Sequence, residues 1–247
     1  MVVEIILDKK VNLKDYTLIE GFPGIGLVGT IAAGYIIEKR KMEPIGHIYS
    51  DKFPPMTSIH QGKAYFPARI YKDSTHKICV LLAEFLIPNN VVYEVSNEIM
   101  KFAKQNKIKQ IISLAGMTSA VQTDDISKKI FGIASDDKML KFLKSKKVNI
   151  INEGVTTGVS GVTLAQCSVL NFPAASLLAE SKAGEPDPRS SIELIKRLED
   201  IVGLKVDTVD LLKEAEKIEK NMGQMMSRVK KMRRGEVSRP DELPMYQ

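Results

Sequence analysis

No apolar run in this sequence approaches the roughly 18 residues that a membrane-spanning helix needs, so such a helix is excluded. The opening MVVEIILDKK meets charge too early to read as a secretory signal. There are only two cysteines, Cys79 and Cys167, each inside an apolar segment and without C-x-x-C spacing. A disulfide scaffold is thereby excluded, and buried thiols in a reducing cytoplasm are the expectation. The three histidines, His47, His60 and His76, are scattered and all lie in the first third of the chain. A zinc site is not expected from such a set. None follows the serines near residue 160, so the Ser–acid–His order of α/β hydrolases is ruled out.

The 247 residues are 44% hydrophobic and 27% charged, enough for a buried core in one large or two small domains. The net charge of +6 is clustered. Lys101, Lys104, Lys107 and Lys109 form one group, and Lys138, Lys141, Lys144, Lys146 and Lys147 a second. The third and densest is Arg228, Lys230, Lys231, Arg233 and Arg234. No aromatic residue interleaves with it, so bases would have nothing to stack on and nucleic acid is not the expected partner.

Apolar runs alternate with amphipathic stretches along the chain. Strands are expected at residues 2–7, 17–22, 44–50, 64–71, 77–83, 108–114, 130–134, 148–151 and 174–178. The short polar turn at 73–76 predicts an antiparallel pair on either side of it. Helices are expected from Leu27 to Arg40, after an Asn89 or Asn90 cap, after a Ser135 cap, and from Gly158 to Leu170. This pattern predicts an α/β fold with a mostly parallel sheet covered on both faces. Residues 1–183 read as the core domain, and the prolines of AGEPDPR mark a linker. A helical segment, 184–234, follows. Within it Leu211, Ala215, Ile218, Met222, Met225, Val229 and Met232 recur every 3.5 residues, as in a coiled-coil seam. Helix 207–234 either lies on its own domain or joins subunits; the spacing fits both. Residues 235–247 are polar and proline-containing, and read as a flexible tail.

Three motifs bear on function. Gly24-Ile25-Gly26-Leu27-Val28-Gly29 matches the dinucleotide pattern G-x-G-x-x-G between a strand and a helix. The acid that should end the next strand is missing, because Glu43 precedes Pro44 and starts one. A tight turn and close helix packing explain the glycines without a cofactor, and none is expected. Glu20, Glu84, Glu153 and Glu180 each end an expected strand, and in a parallel sheet such ends share the edge where α/β ligand sites lie. The ordinary expectation is that each meets solvent or a backbone amide. The alternative is an enzyme or ligand-binding protein using that edge. Third, the glycine- and serine-containing stretch 154–161 resembles an anion loop opening a helix but lacks the P-loop lysine, so packing of a slim helix start on the sheet is the expectation.

The final residues, Met245-Tyr246-Gln247, are hydrophobic–tyrosine–any residue. They combine an apolar anchor, a ring with a hydroxyl and a carboxylate that a lysine in a pocket can pair with. Together with GFPGIGLVG, EGVTTGVSGVTLAQ, SLLAES and PDPRSSIELIKRLEDIVGLKVD, the chain resembles the proteasome assembly chaperone family, its archaeal Pba-type homologues in particular, over about residues 15–220. The resemblance implies a three-layer α/β/α core of the nucleoside phosphorylase kind without catalysis, and a homo-oligomer, with a tetramer as one form. It implies that Met245, Tyr246 and Gln247 dock between neighbouring α subunits of the proteasome core particle, in assembly or in ATP-independent activation, in the cytoplasm.

Overall fold

The computed structural model describes residues 3–118, 129–181, 184–211 and 213. Among these, nine strands form one sheet and two form a small hairpin. The sheet is built outward from four strands that run parallel. They are β2 (Thr17–Gly21), β7 (Ile78–Ala83), β8 (Gln110–Thr118) and β11 (Ala174–Ser181), in the order β7-β2-β8-β11. Register runs across them through Thr17 opposite both Ile78 and Gln110, and Ala174 opposite Ile111. All residues of TLIEG and ICVLLA are buried, as strands covered on both faces require.

Both flanks turn antiparallel. β6 (Ala68–Asp73) folds back on β7 across the polar turn, and β3 (Glu43–Tyr49) and β1 (Glu4–Leu7) continue the alternation to one edge. On the other side β9 (Ile130–Ala134) opposes β11, and β10 (Asn149–Ile150) runs with β9. The hairpin is β4 (Ser58–His60) with β5 (Lys63–Tyr65).

Among the described residues five helices complete two outer layers. α1 (Val28–Lys39), α3 (Asp137–Ser145) and α5 (Pro188–Val202) share a core with one face of the sheet. α2 (Val92–Gln105) and α4 (Gly158–Val169) share a core with the other. The arrangement is a three-layer α/β/α sandwich. α2 buries Val92, Val95, Ile99 and Phe102, a helical stripe of threes and fours, against the sheet. α1 is apolar on nearly every side because it lies between the sheet and α5; Ile31, Ala32, Ala33, Tyr35 and Ile36 are all fully buried. A large side chain buried there contributes about 1.5–3 kcal/mol.

Several local expectations are corrected. Neither Asn89 nor Asn90 caps a helix: Asn89–Val91 form a 3-10 turn, and α2 starts behind it without a side-chain cap. Asp136, not Ser135, caps α3, accepting from Met139 N at 2.8 Å. Ser135 Oγ instead donates to Phe172 O and accepts from Ala174 N, which ties the end of β9 to the start of β11. The expected strand 64–71 is two, β5 and β6, interrupted at Phe66-Pro67, where proline cannot donate to a ladder. Between the expected strands 44–50 and 64–71 the chain also forms β4.

Asp187 caps α5 by accepting from Ser190 N at 2.9 Å, with Pro188 in the first turn, so the linker prolines open a helix of the sandwich. Leu211, first position of the expected coiled-coil seam, is buried in the core of α1 and α5. The rest of that seam, the basic stretch 228–234 and the tail 235–247 lie outside the described residues.

Candidate functional site

The glycine turn lies at the carboxyl edge of β2. Ile25–Leu27 make a 3-10 turn in which Gly26 (φ +61°) and Leu27 (φ +51°) are left-handed, and α1 departs at Val28. A Cβ on Gly26 would sit 2.0 Å from Ser181 Oγ, and one on Gly29 would sit 1.9 Å from the Leu114 carbonyl oxygen. Asp187 N donates to Gly26 O at 2.8 Å. The space these glycines open is thus filled by β8, β11 and the approach to α5, through the Leu114 backbone at Gly29 and the Ser181 side chain at Gly26. Glu43 is far from the turn. It starts β3, three strands away in the sheet and at the opposite edge, where it pairs with Lys9 and Lys72. Those two lysines hold its carboxyl below the ordinary value.

The four glutamates do not form one cluster. Glu153 follows β10, which runs against β11, so it lies at the edge opposite the other three. This corrects the single shared edge: a strand's direction in a sheet is not written in its hydrophobic pattern. Glu84, Glu20 and Glu180 do end parallel strands, but β7 and β11 are three strand spacings apart, about 14 Å. Among the described residues no group of three or more His, Cys, Asp or Glu side chains is placed to hold a metal.

Each of the three has a local role. Glu84 is the centre of an ion network. Arg69 Nη2 and Ser58 Oγ donate to it, and His60 Nε2 lies 3.0 Å from its Oε1. Burial favours its neutral form, but His60, Arg69 and Ser58 outweigh that and hold its pKa below the ordinary value. The Arg69 guanidinium lies between the Tyr65 and Tyr71 rings, at 5.4 and 5.6 Å from their centroids. The network fastens the β4–β5 hairpin to the ends of β6 and β7. Burial also pushes the Tyr71 hydroxyl up to about 12. The Glu180 backbone ties β11 to its surroundings: its carbonyl accepts from Ser190 Oγ at 2.6 Å and its N–H donates to Lys129 O.

Glu20 is fully buried beneath α4, and Ser113 Oγ donates to its Oε2 at 2.5 Å. Burial pushes its carboxyl up to about 7, against the opposing pull of Ser113 and Thr163.

Stretch 154–161 is an exposed loop, 154–157, followed by the first turn of α4, where Val159 is buried. Val155 is 93% exposed, and Thr157 precedes α4 without a side-chain cap. Gly158 (φ +77°) has open space around it. Gly161 is where thinness counts: a Cβ there would meet the Thr156 carbonyl carbon at 2.9 Å. These glycines let the loop close on its own helix; they do not bring the helix to the sheet, as the sequence suggested.

One feature escaped the sequence reading. A cleft of about 910 Å³ runs between the outer sides of α2 and α4, with Tyr93, Met100 and Lys104 on one wall and Val162, Val169 and Leu170 on the other. Tyr93 is 69% exposed and Val169 81% exposed. Gln166 Nε2 crosses the floor to donate to Asn97 Oδ1 at 2.6 Å. The available signal was the surplus of apolar positions on α4 beyond one helical stripe.

No helix among the described residues is long and apolar enough to cross a membrane. Met245, Tyr246 and Gln247, the residues expected to bind the proteasome, lie outside the described residues.

The three-layer sandwich is a fold shared with archaeal homologues of proteasome-assembly chaperone. The chain belongs to the PAC2 family, whose profile matches residues 18–226. It resembles the crystal structure of Pyrococcus furiosus PbaA, an archaeal homologue of proteasome-assembly chaperone, with a TM-score of 0.84 and 33% identity over 94% of this chain and 99% of that one. Pyrococcus furiosus PbaB, an archaeal proteasome activator, shares the fold at a TM-score of 0.76, with 21% identity over 91% and 98% of the two chains. The Methanocaldococcus jannaschii protein MJ0106 is 32% identical over 96% of this chain and 95% of its own. By fold and sequence this chain is a homologue of the proteasome assembly chaperones.

Proposed function

We propose that this chain binds the proteasome core particle through Met245, Tyr246 and Gln247, in pockets between neighbouring α subunits, and acts in core-particle assembly or in ATP-independent activation. The observation that carries the reading is this tripeptide at the end of a chain of the PAC2 family. Its kinship with PbaA, a homologue of proteasome-assembly chaperone, supports a proteasome partner.

The sandwich acts as a body that carries the docking residues. Residues 235–247 number 13 and span at most about 45 Å when extended. Association of several copies into a homo-oligomer, with residues 207–234 contributing, would present several weak docking segments at once, and a ring of repeated pockets would bind them with avidity. The basic stretch 228–234 steers the approach to an acidic ring surface, so binding weakens as salt rises. The chain works in the cytoplasm, where its two buried cysteines stay reduced.

The test is a pull-down of archaeal core particle by the full chain and by a chain lacking Met245–Gln247. The full chain should retain the core particle, and the shortened one should lose it while keeping its own oligomeric state. Equal retention by both would refute the proposal.

A further inference from the structure

Glu20, Ser113 and Ser176 stand in one row across three neighbouring strands. Glu20 on β2 is opposite Ser113 on β8, and Ser113 is opposite Ser176 on β11. Side chains alternate along a strand. Ile19, Ile112, Leu114, Ala175 and Leu177 join the core under α1 and α5, whereas Leu18, Ile111 and Ala174 join the core under α2 and α4. The row therefore points to the α2/α4 side. Thr163, fully buried on α4, faces the row there beside the Glu20 carboxyl.

This is an unusual row for the middle of an apolar core. The parent residues are at most 2% exposed, yet Glu20 Oε1, Thr163 Oγ1 and Ser176 Oγ each end without a well-formed hydrogen bond. No lysine, arginine or histidine among the described residues is paired with Glu20. Around it, β7 contributes Leu81 opposite in register, β8 Ser113, β11 Ser176, and α4 Thr163 and Cys167. Among the described residues Cys167 is the other titratable group there, its thiol pushed up to about 12 by burial first and then by Glu20, with Lys104 of α2 pulling the other way. A buried carboxylate without a cation is expensive, whereas a neutral carboxyl supplies a donor to the hydroxyls around it.

We propose that α4 is held on the sheet by Glu20 in its neutral form, so that loss of this one proton loosens α4 and, with it, the cleft that α4 forms with α2. α4 lies between the row and the cleft: its inner side buries Thr163, Leu164 and Cys167, and its outer side is a wall of the cleft. Ser96 Oγ, at 2.9 Å from Val92 O and 3.4 Å from Val159 O, links α2 to α4, so a shift of α4 is felt by both walls.

The direction follows from linkage. Burial raises the Glu20 carboxyl from 4.5 to about 7, while a solvated carboxyl in a loosened α4 keeps the lower value. The attached state therefore loses its advantage as pH rises from 4.5 to 7, and the loss levels off above 7. Hydrogen exchange of α4 amides, corrected for intrinsic rate and referenced to α5 on the opposite face, should lose protection by on the order of a hundredfold across that range. Glu20→Gln, which cannot ionise, should show no such loss. Parallel behaviour of α4 and α5, or an equal loss in Glu20→Gln, would overturn the proposal. Should that variant fail to fold, the carbonyl carbon resonance of the Glu20 side chain decides in the unmodified chain: it should report the neutral acid at pH 6, and a charged carboxylate there would overturn the proposal.

Discussion

The Tyr35 hydroxyl donates to the Asp207 carbonyl oxygen at 2.7 Å. It thereby fastens the segment after α5 to the helix that leaves the glycine turn. Lys39 adds an ion pair with Asp210 at 3.7 Å, and Leu211 is buried beside them. The start of the C-terminal segment is thus tied to the sandwich at α1. Tyr35→Phe removes only the hydroxyl and leaves a carbonyl unpartnered. It should cost about 1 kcal/mol in urea unfolding.

Two glycines of the G-x-G-x-x-G match separate packing from ligand binding. Gly24 has nothing within 4 Å of an added Cβ, whereas Gly29 meets the backbone of Leu114. Gly29→Ala should therefore destabilise by about 1–3 kcal/mol, and Gly24→Ala should stay within about 0.5 kcal/mol. Thermal denaturation of the two variants checks the contrast.

Arg69 and Glu84 form a nearly buried pair at the ends of β6 and β7. Arg69→Met leaves Glu84 without its cation while Ser58 and His60 stay in place. A loss of about 3–5 kcal/mol is expected. Limited proteolysis should then cut first in the β4–β5 hairpin that this network fastens.

Stability should depend on pH in two opposite ways. Glu84 and Asp73 have carboxyls held below their ordinary values: burial is the largest single effect and acts the other way, but His60, Arg69 and Ser58 together outweigh it at Glu84, and His76, Arg40 and Thr75 together outweigh it at Asp73. Their contribution is complete above the ordinary carboxylate range and is lost as pH falls through their folded values. Glu20 is raised instead, so its effect has the other sign, and stability declines from pH 4.5 towards 7. Urea midpoints measured from pH 3 to 8 should fall on both sides of a maximum near pH 5. Glu20→Gln should remove the decline on the alkaline side, worth roughly 3 kcal/mol.

Much of the sandwich was legible because its central strands are apolar runs and its helices carry one stripe. Thr17–Gly21 and Ile78–Ala83 announce strands covered on both sides. Strand direction was less legible. Nothing in Ile130–Ala134 says that β9 opposes β11, and that reversal carries Glu153 to the far edge. Caps were misread where two polar residues compete: Ser135 binds the β11 strand, and Asp136 takes the helix. The glycines read in the sequence as a tight turn, but only coordinates show Ser181 and Leu114 filling the space beside Gly26 and Gly29. Glu20 looked like an edge residue and is instead in the core, because α4 folds over the end of β2.

The proposed docking turns on Tyr246. Binding of the chain to immobilised archaeal core particle should be measured for the unmodified chain and for Tyr246→Ala, at two salt concentrations. If the Tyr246 ring anchors docking as proposed, its loss should weaken binding by at least tenfold, equivalent to about 1.4 kcal/mol, and raising salt should weaken the unmodified chain further. Unchanged affinity in Tyr246→Ala would contradict the account.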